Sequence, residues 1–377
     1  MTPYSGLLFF YLLGLALIPA VLLGLWGKSL KGYGLLFSLG MLGIVFGING
    51  QLWFLIVFAL WELGLCKAFF RLKNRCRPLL WTAVTLSVLP LALVKVGEMW
   101  KPLSFLRMLG VSYMTFRAVE VLLDTYDGRM KSLPLWDLTY FLLFFPSVSS
   151  GPIDRWKRFS TNISAPPSRE SYLEGFYQGV WKLVGGAFAG ILVGGFIQTY
   201  WLAPLPDSGF GATVSYMYGY TLFLFFNFAG YSSMAIGTGY LLGVQVPENF
   251  RQPFLSVDMK DFWSRWHISL STWLRDYVYT RFVMRSLKVK RFRNQRTASY
   301  LGYLLNMMVM GVWHGLAPHY LVYGAYHGIL LCLNEYLDLH WKPFRQLKKQ
   351  GIGQVCCVLV TFHLFAFGLL IFSGRLF

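Results

Sequence analysis

Apolar residues in this chain come in long blocks instead of the alternation of a half-buried sheet. The blocks run roughly 4–26, 33–48, 50–66, 79–96, 103–123, 135–150, 176–203, 212–246, 297–313, 319–339 and 352–373. A helix needs about 17–25 predominantly apolar residues to cross the hydrocarbon of a bilayer. Several blocks meet that length, while others are too short or too long for one crossing, which predicts re-entrant or tilted segments. The pattern predicts an all-α polytopic membrane protein of about eleven transmembrane helices plus short interfacial and re-entrant helices. The first block, Tyr4 to Trp26, carries no charge. No basic residue precedes it and it is too long for the apolar core of a cleaved signal, so it reads as a span. No linker, low-complexity stretch or internal repeat interrupts the chain, and a single membrane domain over 1–377 is expected.

The polar breaks between blocks are basic. Lys28 and Lys31 lie in one, and Lys67, Arg71, Lys73, Arg75 and Arg77 in another. Two short spans separate them, which places both on one side, cytoplasmic by the positive-inside rule, with the N-terminus outside. Residues 281–296 hold Arg281, Arg285, Lys288, Lys290, Arg291, Arg293 and Arg296 and no acid. Composition sharpens this picture: 56% of residues are hydrophobic and 13% charged, against about 45–50% and 25% in soluble domains. The net charge of +18 would suggest nucleic acid in a soluble protein. Here, basic loops facing anionic lipid account for it, and no nucleic-acid partner is expected. The basic run 281–296 also admits a second reading, the docking of an acidic partner by electrostatic steering. Five cysteines, with no CxxC or metal-ligand spacing, argue against a disulfide framework, and no metal site is expected.

Polar groups inside apolar blocks are costly and mark candidate sites. In GVSYMTFRAVE (110–120), Arg117 and Glu120 are three apart and could neutralise each other on one helix face. In PSVSSGPIDRWKRF (146–159), prolines and small residues break any helix, and Asp154 sits beside Arg155, Lys157 and Arg158. That turn reads either as an interfacial loop or as the wall of a substrate channel. Residues 258–279 place Trp263, His267, Leu270, Leu274 and Tyr277 on one helical stripe and Arg265, Ser269, Thr272 and Asp276 on its neighbour. A lone histidine on an apolar stripe is usually a satisfied core residue, so His267 alone does not establish chemistry. In MMVMGVWHGLAPHYLVYGAY (307–326), Gly311 and Gly315 allow close backbone approach and leave Trp313 and His314 poorly shielded. His314 therefore reads either as a reactive imidazole with room for substrate or as an interhelical hydrogen-bonding group.

These segments bear a resemblance. SGPIDRWKRF (150–159), FNFAGYSSMAIG (226–237), NFRQPFLSVDMKDFWSRWHISLSTWLRDYVY (249–279) and GVWHG (311–315) are similar to the membrane-bound O-acyltransferase (MBOAT) family, and the similarity covers nearly the whole chain. The resemblance implies the MBOAT fold, with His314 as the catalytic residue and His267, a position that is Asn in many members, in a supporting active-site role. Trp313, Asp276, Trp263 and Asp154 would support the substrate tunnel. Within the family the similarity is strongest to the branch that D-alanylates (lipo)teichoic acid in Gram-positive bacteria. The alginate-type polysaccharide O-acetyltransferases share the GPI turn and both histidines and are the alternative. The chain ends at FSGRLF, soon after its last span, where several more residues are expected in that branch.

What the resemblance implies for chemistry follows. The donor is D-alanine held as a thioester on the phosphopantetheine arm of an acidic cytoplasmic carrier protein (DltC-like), with no permanently bound cofactor. The carrier docks on the basic run, at Val283, Met284, Arg285, Arg291 and Arg293. Membrane partners of the same pathway (DltD-like and a small DltX-like protein) are expected in the plasma membrane. The acceptor is a hydroxyl, either on the teichoic acid or on a relay protein. A neutral imidazole takes its proton and the oxygen attacks the thioester. Two other classes compete: a transporter, whose broken helices and intramembrane polar groups look similar, and a scaffold in which both histidines only pack.

Overall fold

The computed structural model describes residues 2–99, 110–149 and 151–377. The start of the expected 103–123 span and Ser150 lie outside the described residues. Apart from one isolated bridge, regular structure among the described residues is helical. The chain packs as two compact units: Met1–Ile191 with Phe228–Pro247, and Leu192–Asn227 with Glu248–Phe377.

The first unit holds α1 (Leu7–Leu25), α2 (Lys31–Ile48), α3 (Leu52–Arg71), α4 (Arg77–Met99), α5 (Val111–Tyr126), α6 (Leu135–Leu142), α7 (Trp156–Asn162) and α8 (Arg169–Ala187). Helical winding then passes into the second unit at Leu192 and continues through α9 (Gly194–Phe196), flanked by π-helical turns, to Leu202. Helix α10 (Phe210–Leu241) follows. Its C-terminal part packs on α8 through facing glycines. A Cβ at Gly179 or Gly186 would meet the backbone of Gly237 or Gly230, so only glycine permits that approach.

Arg117 and Glu120 are both buried on α5 and interact electrostatically, but their hydrogen bonds go to other partners. Arg117 donates to the carbonyls of Phe141 (2.8 Å), Leu142 (3.2 Å) and Ser147 (2.8 Å). Glu120 accepts from the Trp156 amide at 2.9 Å and faces the Arg155 guanidinium at 3.6 Å. The reason is backbone satisfaction. The last turn of α6 and the irregular stretch after it offer orphan carbonyls to a buried interior, and a guanidinium with five donors serves several at once. Asp154 tightens the same turn by accepting from the Arg155 amide (2.6 Å) and from Arg158 Nε (2.9 Å).

The second unit adds α11 (Met259–Arg265), α12 (Ile268–Leu274), a π-helical turn Arg275–Tyr279, α13 (Thr280–Lys288), α14 (Gln295–His314), α15 (Pro318–His340), α16 (Lys342–Leu347) and α17 (Gly351–Phe372). Helices α14 and α15 form an antiparallel pair. A Cβ at Gly311 would strike the Tyr320 carbonyl, and one at Gly324 the Met307 carbonyl, so these glycines set the close crossing. Pro318 at the first position of α15 supplies the φ a helix start needs and forfeits no intrahelical bond.

Six helical runs among the described residues are long and apolar enough to cross a bilayer: Leu7–Leu25, Lys31–Ile48, Leu52–Arg71, Arg77–Gly97, Arg169–Leu202 and Gly351–Phe372. The sequence reading counted about eleven. Helices α10, α14 and α15 have the length, at 32, 20 and 23 residues, but their Gly, Ser, Tyr and His content dilutes the apolar character. Block 135–150 is the short α6 followed by a 3-10 turn. The chain is a multi-pass membrane protein.

Candidate active site

The site is assembled within the second unit around a break in the 258–279 stripe. The continuous amphipathic helix expected there is interrupted at Trp266–His267. Helix α11 ends at Arg265, Trp266 is extended, and His267 adopts φ 44°, ψ 51° as the N-cap of α12. The stripe residues Trp263, His267, Leu270, Leu274 and Tyr277 are nonetheless all buried. Periodicity found the buried face but not the break.

A distant residue causes the break. The Asn249 carbonyl accepts from the Ile268 amide at 3.0 Å, and its Oδ1 accepts from Ser269 N (3.2 Å) and Ser269 Oγ (2.6 Å). Arg251 N donates to Arg265 O at 3.0 Å, and Phe250 bridges Trp266. The 249–251 strip therefore binds the chain on both sides of His267 and imposes the left-handed turn. A non-glycine residue at positive φ costs free energy and persists only where its surroundings over-determine it, which is common at functional sites. Asn249 is 1% exposed. Sequence reasoning missed it, because its partners lie about twenty residues on and no period reveals them.

Ion pairs fix α11 from the other end. Lys348 bridges Asp258 (2.6 Å) and Asp338, while Lys260 pairs with Glu335 and lies 3.5 Å from Asp338. The Lys260 amide also donates to Asn334 Oδ1 at 3.2 Å. The helix that leads into His267 is thus tied to α15 and to the turn before α17.

His314 is the last residue of α14, and extended Gly315 caps it. A Cβ at Gly315 would overlap the Tyr320 ring, so glycine lets that ring lie against the site. The imidazole is half-buried among aromatic rings: Trp313 at 4.4 Å between centroids, Phe372 at 4.9 Å, Tyr320 at 6.1 Å and Tyr323 at 6.2 Å. Trp313 also lies 6.2 Å from the His267 ring. The two histidines therefore share one indole and interact electrostatically. Tyr320, Tyr323 and Phe372 were not singled out from the sequence. The first two stand within nine residues of His314, and Phe372 arrives from α17.

The other expected residues are dispersed. Trp263 is buried on α11 with its ring perpendicular to His327 at 5.2 Å, and His327 in turn packs on Tyr323 beside His314. Asp276 is exposed and pairs with its neighbour Arg275 at 2.9 Å. Asp154 belongs to the first unit, where it holds the 146–159 turn. Of the docking residues, Met284 is 61% exposed and Arg285 is also exposed. Val283 is half-buried and leans on α14 where Gly302 leaves room. Arg291 lies 5.7 Å over the Phe282 ring, and Arg293 is exposed.

His267 lies outside the six candidate spans. Burial, and after it the neighbouring His314, hold its imidazole far below the ordinary value, at about 3. It is a neutral hydrogen-bonding group at physiological pH. In the unfolded chain the same side chain binds a proton below about 6.5. Between these values the unfolded state binds more protons, so stability is lost as pH falls, by up to about 1.4 kcal/mol per unit for this one group. The melting temperature is expected to drop between pH 7 and pH 5, and His267→Asn should flatten that drop by an amount worth at most about 2 kcal/mol. Fluorescence-detected melting of both proteins checks this. Equal slopes would show that His267 is not held neutral by the fold.

The sequence profile of the membrane-bound O-acyltransferase family matches residues 50–374. The chain is 40% identical to the teichoic acid D-alanyltransferase of Bacillus subtilis, over 100% of this chain and 98% of that protein. It is 35% identical to the Streptococcus thermophilus protein of the same name, over 99% and 95%. A probable alginate O-acetylase of Pseudomonas syringae is 31% identical over 63% of this chain and 44% of its own length.

Proposed function

The chain belongs to the membrane-bound O-acyltransferase family, and from that premise we propose that it moves D-alanine from a carrier protein's phosphopantetheine thioester to a hydroxyl acceptor, for D-alanylation of teichoic acid at the plasma membrane. The observation that carries this reading is His314 at the open end of α14, walled by aromatic rings and joined to His267 through Trp313. Similarity to teichoic acid D-alanyltransferases along the whole chain supports the substrate class.

In this mechanism His314 is the general base. It takes the acceptor hydroxyl's proton as the oxygen attacks the thioester carbonyl. The C–S bond breaks, and the carrier thiolate recovers the proton from the imidazolium. His267, neutral and rigidly held, orients a substrate through hydrogen bonding. The aromatic wall keeps bulk water from the thioester.

The acidic carrier docks on α13, where Met284 and Arg285 present an apolar and a basic contact side by side. Val283, Arg291 and Arg293 flank them. Membrane partners of the same pathway (DltD-like and DltX-like) complete the assembly. Met284→Asp with Arg285→Glu is expected to weaken carrier binding at least about tenfold and to leave the single-turnover rate at saturating carrier unchanged. Titration of labelled carrier onto purified protein measures the first, and rapid-quench discharge the second.

The decisive experiment supplies carrier loaded with radiolabelled D-alanine, the purified protein and acceptor membranes. Label must leave the carrier and appear on teichoic acid. Transfer from an acetyl donor in its place would favour the alginate-type reading. Carrier binding with no discharge would favour a scaffold.

A further inference from the structure

Between α13 and α14 the chain folds around a cavity of about 290 Å³. Helix α13 ends in a tight turn in which Arg291 N bonds Ser286 O (2.9 Å) and Lys290 N bonds Leu287 O (3.1 Å), with Lys290 at φ 47°. Glycine is the usual occupant of that left-handed position; here it is a lysine whose side chain lines the cavity. Arg293 lines it too, and neither cation has an acidic partner among the described residues. Gln295 and Ala298 come from the first turn of the twenty-residue α14, whose N-terminal amides carry partial positive charge. The independent observation is Ser286. It lines the same cavity and is 2% exposed, and its hydroxyl has no hydrogen-bond partner among the described residues. A buried hydroxyl is rarely left unsatisfied, so an acceptor is missing there.

Two cations, a helix N-terminus and an orphan donor, with no acid anywhere in 281–296, select an oxyanion. Leu287 on the cavity wall and Val289 beside it, 55% exposed, add an apolar flank. The cavity sits in the most basic interhelical turn of a membrane protein, the side that faces anionic lipid. We infer that this cavity binds the phosphate of an anionic membrane phospholipid, with Ser286, Lys290 and Arg293 holding the phosphate oxygens and Leu287 and Val289 facing the glycerol and acyl portion. The site is separate from His314 and does not depend on acyl transfer.

The test uses the full-length protein, stripped of lipid in a neutral detergent, titrated with dihexanoyl phosphatidylglycerol, dihexanoyl phosphatidylcholine or inorganic phosphate. Melting temperature and native-mass adducts are the readouts. Wild type is expected to show a saturable upward shift with the phosphatidylglycerol, at half-saturation at least about tenfold below that of the phosphatidylcholine, and little response to phosphate. Lys290→Gln and Ser286→Ala should each weaken the phosphatidylglycerol response about tenfold or more, as loss of a charge-assisted contact does. Lys73→Gln, in another basic loop, should not. If Ser286→Ala lowers the lipid-free melting temperature, the exposed Lys290→Gln decides. Equal responses to the two lipids, wild-type lipid binding by Lys290→Gln, or protection by phosphate alone would each overturn the inference. Carrier titration onto the same variants separates the two surfaces: a carrier defect with intact lipid binding assigns Lys290 to docking and also overturns it.

Discussion

Replacing His314 with alanine is expected to slow discharge of the D-alanyl carrier by about 10²–10⁴-fold, the range that general-base catalysis contributes. Carrier binding should remain at the wild-type level, because α13 and its exposed Met284 and Arg285 lie at the other end of α14 from this imidazole. The fold should survive as well. His314 is half-buried at a helix terminus, and among its neighbours Phe372 also contacts both Tyr320 and Tyr323, so truncation removes one ring from a cluster whose other members still pack. A stability loss of about 1 kcal/mol is expected, far less than the effect on rate. Single-turnover quench of labelled carrier, with a parallel melting curve, measures both. Discharge at the wild-type rate would remove His314 from the chemistry and favour a scaffold or transporter.

The contrast between what was legible and what was not has a physical basis. His314 could be singled out as a candidate because its signal is local: two glycines and a tryptophan around a histidine in an apolar block are visible in five consecutive letters. The buried stripe from Trp263 to Tyr277 was legible because burial follows helical period even across a broken turn. The break at His267 was not, since it depends on Asn249, a long-range partner whose hydrogen bonds leave no trace in periodicity. The hydrogen-bond partners of Arg117 and Glu120 stayed hidden for a related reason. Their spacing allows an ion pair, but spacing knows nothing of the carbonyls of Phe141, Leu142 and Ser147, which need donors more. Asp276, expected beside the substrate tunnel, is exposed and pairs with Arg275.

His267 carries two separable demands, one on the backbone and one on the side chain, and a substitution series can measure each. Its φ of 44° suits asparagine and glycine and opposes a β-branched residue. His267→Val should cost about 1–3 kcal/mol from strain alone, before any loss of packing. His267→Gly accepts the turn but supplies no hydrogen-bonding group. His267→Asn keeps both the left-handed preference and a neutral donor–acceptor, which is the state in which burial holds the native imidazole. The expected order of melting temperatures at pH 7 is therefore asparagine close to wild type, glycine next and valine clearly lowest. The expected order of discharge rates is wild type, then asparagine, then glycine and valine together, about 10–100-fold down, as misplacement of a substrate by a fraction of an ångström would produce. If valine melts with the wild type, the turn imposed by Asn249 is not under strain. If glycine turns over as fast as asparagine, the His267 ring only packs, and orientation must come from Trp313 and the tyrosines of α15.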